Sequence, residues 1–305
     1  MFKFIKDWIL VIAIVLGVII HPFVEYFAFL SPYLISIVLV FAFSAMRVKE
    51  IKIEKSHFIF LVLQITLASL SYLLLYDFDH ILAMGVVVCF LCPTANSAPG
   101  VVRMLGGNVP YITSYLFIVN IIMSLVIPIF FSFAKTNDQV AFYPIFIGIA
   151  KRVVALIIVP LLIARGIKRV SPRLNNYLII HTQISFYIWA LALLIVIANT
   201  IRYFRNHYDE NSEGIFIMLG ASLVICLLQF FIGKRIGVYY KNTVTMGQTF
   251  GQKNTILAIW ITQSFYTPIA CIVPAGYVLW QNLINSYELY RKNRKNRKNR
   301  KNKNA

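Results

Sequence analysis

Negative charge is scarce in this chain. Asp and Glu number 11 among 305 residues, against 29 Lys and Arg, and charged residues of both signs make up only 13%. Hydrophobic residues make up 59% and the mean hydropathy is +0.75, which is far more apolar side chain than the core of a soluble domain can hide. The composition therefore excludes a soluble globular protein and predicts an all-α integral membrane protein.

Cysteine is also scarce, and all four cysteines lie in apolar segments. Cys89 and Cys92 have the spacing of a redox or metal pair, but no second thiol pair or nearby histidine completes a four-ligand site. We expect the cysteines to pack as small hydrophobic residues, and we predict no disulfide, metal or cofactor. The sequence also lacks a Ser/His/Asp set, paired carboxylates and a phosphate-binding glycine loop, which argues against an enzyme.

Long apolar runs recur from end to end. Ten of them approach or exceed the length of about 20 residues that a helix needs to cross a bilayer, so ten transmembrane helices are predicted. The first run lacks a cleavage site of small residues, so we expect a retained helix and not a signal peptide. The predicted spans are 7–22, 31–47, 57–76, 81–104, 111–134, 142–166, 177–200, 214–233, 238–262 and 265–287.

Basic and acidic residues occupy alternate loops between these spans. Positive residues are retained on the cytoplasmic side of a membrane, so both termini of this multi-pass protein of the cell membrane are predicted to be cytoplasmic. The basic clusters are 47–55, 165–173 and 234–235, and the acidic clusters are 77–79 and 209–213.

The C-terminal segment 291–305 repeats Arg, Lys and Asn. Its low complexity predicts a disordered cytoplasmic tail. Because it directly follows a hydrophobic span, attraction to anionic lipid is favoured over nucleic-acid binding.

Two apolar segments are interrupted by polar and helix-breaking residues, at 92–100 and at 247–255. Broken backbone at membrane depth is tolerable only where protein, water or a ligand satisfies its N–H and C=O groups. The interruptions fall in the fourth and ninth spans, at corresponding places in two halves, 1–134 and 140–290. Five spans per half invert the second half relative to the first, and a matched pair of broken helices points to a transporter's binding site.

Short proline and polar motifs accompany these breaks. They are Pro22, Ser31-Pro32-Tyr33-Leu34, Gln64, Cys92-Pro93, Gly107-Asn108, Gly251-Gln252-Lys253-Asn254, Pro268 and Pro274-Ala275. In this combination the chain resembles the bile acid:sodium symporter family. The resemblance implies ten helices in two inverted five-helix repeats, with a core bundle (spans 3–5 and 8–10) that moves against a panel (spans 1, 2, 6 and 7). Substrate would bind between them, beside the crossing of the broken helices 4 and 9.

The chain departs from the family at the implied sodium sites. The positions of the first site hold Ala98, Pro99, Ile112 and Leu116, and the position of the shared glutamate holds Thr249. Hard cations are bound by oxygen atoms, and only the threonine offers a side-chain oxygen, although the neighbouring Thr113 or Ser114 would offer one in a shifted register. Sodium is therefore not expected as the coupling ion.

Lys253 stands where the resemblance implies a glutamine of the second sodium site. Its ammonium group repels a cation, and we predict that it takes the place of the ion, with Gln64, Thr249 and Gln252 as acceptors. Burial disfavours the charged form of an amine, so proton loading could replace sodium loading. The alternatives are that Lys253 reaches an interface or only holds the break together.

Polar residues at the breaks are candidate substrate contacts, and they would equally satisfy orphaned backbone groups. They are Thr94, Asn96, Ser97, Asn254 and Thr255. Arg103, beyond the first break, is expected to be an orientation signal more than a substrate clamp.

Together these features predict a secondary transporter that moves a small organic anion by alternating access, coupled to protons or to no ion. The anion preference follows from facing half-helix N-termini and Lys253, and from the amphipathic or carboxylated substrates that the resemblance implies. Two alternatives remain: an exporter of another metabolite or an oxyanion, and a membrane sensor that does not transport.

Overall fold

The computed structural model describes residues 15–17, 19–44, 51–135, 142–181, 184–185, 187–192, 194–195, 198 and 212–303. These residues form helices joined by short connections, with one isolated β-bridge among them, so the predicted all-α class is confirmed. The helices are α1 (His21–Val24), α2 (Ser31–Ser44), α3 (Lys55–Leu75), α4 (His80–Leu91), α5 (Ala98–Leu105), α6 (Val109–Lys135), α7 (Phe142–Val170), α8 (Pro172–Ile180), α9 (Ser212–Tyr239), α10 (Thr243–Gly251), α11 (Thr255–Phe265) and α12 (Ile272–Lys303), with 3-10 helices at Glu25–Leu30 and Pro268–Cys271.

Four of the described helices are long and apolar enough to cross a membrane: α3, α6, α7 and α9. Three further apolar helices, α2, α4 and α11, are shorter. More than half of the predicted first span, 7–22, and a third of the predicted seventh span, 177–200, lie outside the described residues.

The outer faces of the long helices carry large apolar side chains. Leu73, Leu162 and Phe216 are all more than 60% exposed. Exposed apolar surface on this scale is costly in water and is what a lipid-facing helix requires. The protein is therefore membrane-embedded.

Helix α4 lies at the centre of the packed core. Every residue from Leu82 to Leu91 is buried, and the helix contacts α3, α9, α11 and α12. At Gly85 a Cβ would lie 2.6 Å from the side chain of Val273, so the absence of a side chain lets α4 approach α12. Because the first break directly follows this central helix, the break also begins in the packed core.

Helix α10 packs on a glycine face of α9. A Cβ on Gly233 would lie 2.5 Å from the carbonyl oxygen of Met246, and one on Gly237 would lie 2.6 Å from the Cα of Thr243. Small residues four apart allow this close backbone approach in membrane helices, and it brings the second break toward α4.

Both interruptions are shorter than the sequence predicts. The first spans Cys92 to Ser97, because Pro99 occupies the first turn of α5, where a missing N–H costs nothing. The second is limited to Gln252, Lys253 and Asn254, since Gly247 to Gly251 continue α10.

The last helix runs to Lys303, through most of the segment for which the sequence predicts disorder. Lys and Arg are good helix formers, and a helix already formed by the apolar residues before them is extended without a new nucleus. Lys292 Nζ donates to Met104 O at 2.9 Å, which ties the beginning of the basic segment to the end of α5.

Candidate functional site

The two helix breaks meet and pair through their backbones. Thr94 and Lys253 form an antiparallel bridge. Beside it, Ala95 N donates to Gln252 O at 3.2 Å and Asn254 N donates to Pro93 O at 2.8 Å. Groups that lose their helical partners thus satisfy one another across the two breaks.

Side chains reinforce this pairing. Thr94 Oγ1 donates to Thr249 O at 2.8 Å, and Tyr277 OH donates to Gly251 O at 2.7 Å. Thr94 and Thr249 are fully buried. The Thr94 hydroxyl therefore satisfies the broken backbone, which is one of the two uses that the sequence leaves open for it.

The C-terminal end of α4 is capped by one side chain from α3 and one from the second break. Gln64 Nε2 donates to Leu91 O and to Cys92 O, each at 3.0 Å. Lys253 Nζ donates to Phe90 O at 3.1 Å. The last carbonyls of a helix lack intrahelical donors and carry partial negative charge, so the ammonium group occupies a position where a cation is stabilised.

Lys253 is almost fully buried. Its exposed fraction is 1%, which excludes the alternative that it reaches an interface. Nζ lies 5.2 Å from the ring centroid of Phe250, a favourable cation–π distance. The main-chain N–H donates to Gln281 Oε1 at 3.0 Å.

The three side chains predicted as acceptors for Lys253 form hydrogen bonds with other partners. Gln64 Oε1 accepts from Tyr115 OH at 3.0 Å, Thr249 Oγ1 donates to Thr245 O at 2.8 Å, and Gln252 Nε2 donates to Gln248 Oε1 at 2.7 Å. The acceptor is instead a main-chain carbonyl, Phe90 O. Gln64 contributes by donating to the two carbonyls that follow Phe90 O in the chain, Leu91 O and Cys92 O.

A cavity of about 740 Å³ lies against the paired breaks. This volume is within the range of small-molecule sites. Six of the predicted site residues line it: Asn96, Ser97, Gln252, Lys253, Asn254 and Thr255. Three others, Thr94, Gln64 and Thr249, are buried behind this wall and hold the breaks in place.

The opposite wall of the cavity is mostly apolar. Val38, Phe41 and Ala42 of α2 contribute to it, together with Ile179 and Trp189. A ligand in the cavity would therefore contact polar groups on one side and apolar groups on the other.

Charge in the described wall is positive. Lys253 and Arg103 are its cationic residues, and none of the described lining residues is acidic. Arg103 is exposed, and it lies in the last turn of α5. The sequence favours an orientation signal over a substrate clamp for Arg103, and it does not show that this residue lines the cavity.

The positions of the implied first sodium site are apolar in space as well as in sequence. Ala98 and Ile112 pack in a small cluster with Ala95 and Val102, and all four are buried. Pro99 and Leu116 line the cavity and offer no side-chain oxygen.

The two nearby hydroxyls bond to their own helix. Thr113 Oγ1 donates to Val109 O and Ser114 Oγ donates to Pro110 O, each at 2.9 Å. Both residues line the cavity. Their hydrogen atoms are therefore committed to the first turn of α6.

Three polar residues of α12 were not singled out from the sequence. Gln281, Asn282 and Asn285 all line the cavity. Their spacing puts Gln281 and Asn285 on one helix face, and polar residues within an apolar span are functional candidates by default. That signal was available in the sequence.

The geometry defines a membrane protein with a cavity at two paired helix breaks. No protein-family model matches the chain, and no curated protein matches it. In the part of the chain that the structure describes, no group of three or more His, Cys, Asp or Glu side chains is placed to hold a metal ion.

Proposed function

We propose that this protein is a secondary transporter that moves a small organic anion by alternating access. The observation that carries the proposal is the cavity beside the paired breaks, whose described wall has Lys253 and Arg103 but no acidic residue. Broken helices are how transporters present backbone and polar groups to a solute at membrane depth. Uncompensated positive charge in a low-dielectric cleft attracts an anion.

The proposed architecture is that of the bile acid:sodium symporter family, with ten helices in two inverted five-helix repeats. In it, α4 and α5 form the broken fourth helix, and α10 and α11 form the broken ninth. Support comes from their likeness: each has two helical halves around a short break. The breaks pair antiparallel, as segments related by a two-fold axis in the membrane plane would.

The walls of the cavity correspond to the proposed core and panel. The breaks and α12 belong to the core, whereas α2, Ile179, Ser185 and Trp189 belong to the panel. A solute held between two such bodies is released on either side when one moves against the other. A cavity between these two proposed bodies supports core-against-panel movement.

In this proposal the Lys253 ammonium group takes the place of the coupling cation. It caps the partly negative end of α4, and no described carboxylate forms an ion pair with it. The apolar packing of Ala98 and Ile112 supports the loss of sodium coupling. Without sodium coupling, transport is either coupled to protons through Lys253 or uncoupled.

Uptake into proteoliposomes tests the proposed function. Purified protein would be assayed with a panel of labelled organic anions under an inward sodium gradient, an inward proton gradient or no gradient. We expect uptake that does not require sodium. If Lys253 carries the proton, acid outside accelerates uptake and Lys253→Met abolishes this response while retaining exchange.

The matched control for that variant is Lys168→Met, which removes an exposed lysine of α7. Its uptake should equal that of the wild type. A sodium requirement would contradict the assigned role of Lys253. Ligand binding without counterflow would instead identify a sensor, and protection of pump-deficient cells from a toxic solute would identify an exporter.

A further inference from the structure

Arg103 has a charge that the described protein leaves uncompensated. It is an exposed residue of α5 that lines the cavity, and no described carboxylate pairs with it. Lys253 differs, because its Nζ already donates to Phe90 O and the side chain is 1% exposed. Arg103 is therefore the cation that is available to a ligand.

Asn285 supplies a second, independent observation. Its side-chain oxygen is buried without a hydrogen-bond partner, the residue is only 8% exposed, and it lines the same cavity as Arg103. The oxygen of Asn96, at the first break, is buried and unpartnered in the same way. A buried acceptor without a donor is costly, so a donor from a ligand would stabilise it.

We infer that the substrate class is a small carboxylate that also carries a hydrogen-bond donor, with its carboxylate bound by Arg103 and its donor by Asn285. The inference rests on the proposed function and names the substrate class of that same cavity. An arginine fork matches the two oxygens of a carboxylate. The apolar wall at Phe41 and Trp189 accommodates an apolar body.

Three matched probes separate these features. Mandelate carries a carboxylate, a hydroxyl donor and an aromatic body. Phenylacetate lacks the hydroxyl, and methyl mandelate lacks the charge. A ligand that binds the folded state raises its thermal stability in a concentration-dependent way, so each affinity is obtained from the melting temperature of the full-length, detergent-purified protein.

We expect mandelate to bind most tightly, phenylacetate about tenfold more weakly, and methyl mandelate not measurably. Arg103→Gln should weaken the binding of both carboxylates at least tenfold, and Arg103→Lys should weaken their binding less. Asn285→Leu should reduce the affinity for mandelate to that for phenylacetate, and it should leave the affinity for phenylacetate unchanged. Lys168→Gln removes a cation outside the cavity wall and should change nothing.

The inference is overturned if no carboxylate stabilises the wild type, if methyl mandelate binds as tightly as mandelate, or if Arg103→Gln binds both acids normally. The order Arg, Lys, Gln at position 103 distinguishes a lost charge from a misfolded variant. Arg103-dependent binding without counterflow would contradict transport but support the substrate class. Counterflow of only neutral or cationic solutes would support alternating access but contradict both the anion preference and the carboxylate substrate class.

Discussion

At the scale of single residues, Gln64 joins three polar groups inside an apolar core. Its amide donates to Leu91 O and Cys92 O and accepts from Tyr115 OH. Gln64→Leu keeps the volume but leaves these groups unpaired, at a cost of roughly 1–3 kcal/mol for each buried group. We expect a clearly lower melting temperature in detergent.

Tyr115→Phe is the matched control, because it removes the hydroxyl and keeps both amide bonds to α4. Its melting temperature should fall less than that of Gln64→Leu. Equal melting temperatures for wild type and Gln64→Leu would show that the amide does not hold the end of α4.

The sequence indicates which residue types lie at the breaks but not their partners. Lys253 is recognisable as an ionisable residue within an apolar span. Its acceptor, Phe90 O, is a main-chain group of a helix 163 positions away in the chain, and no side-chain pattern marks it. The place of Arg103 in the cavity wall is not predictable for a related reason, since position near a span end does not show which cavity a side chain lines.

At the scale of elements, the contact between α9 and α10 depends on the absence of a side chain at Gly233. A Cβ there would meet a backbone carbonyl at 2.5 Å, and backbone cannot move aside as a flexible side chain can. Gly233→Ala should therefore destabilise the protein by about 1–3 kcal/mol, the usual cost of overpacking. Thermal melting in detergent checks this.

Gly220→Ala, on the same helix, is the matched control. A Cβ at Gly220 would meet nothing within 4 Å, and alanine favours a helix more than glycine does. Its melting temperature should be unchanged or higher. If both variants melted alike, the close approach of α9 and α10 would not contribute to stability.

The existence of both breaks is predictable from the sequence, whereas their lengths are not. Pro99 reads as a helix breaker, yet in the first turn of α5 it is compatible with helix. Gly247 and Gly251 read as breakers too, but they allow close packing: a Cβ on Gly251 would clash with the ring of Phe230. Whether a glycine ends a helix or allows close packing depends on tertiary contacts, which the sequence does not show.

At the scale of the whole molecule, the cavity lies toward the ends of several helices that the proposed topology directs to the cytoplasm. Ile51, which follows the basic end of the second predicted span, lines the cavity. Lys52 N donates to Ser114 Oγ at 3.0 Å, and Lys292 contacts the end of α5. Combined with the positive-inside rule, this arrangement leads us to expect a cavity open to the cytoplasm.

Cysteine labelling tests that orientation. The four native cysteines are buried, so a membrane-impermeant maleimide should give little background. Ser97→Cys, in the cavity wall, should be labelled in inside-out vesicles and protected in intact cells. Phe78→Cys, in the exposed turn after α3, should show the reverse. Labelling of Phe78→Cys only from the cytoplasmic side would contradict the proposed topology, and labelling of both positions only from outside would mean that the cavity opens outward.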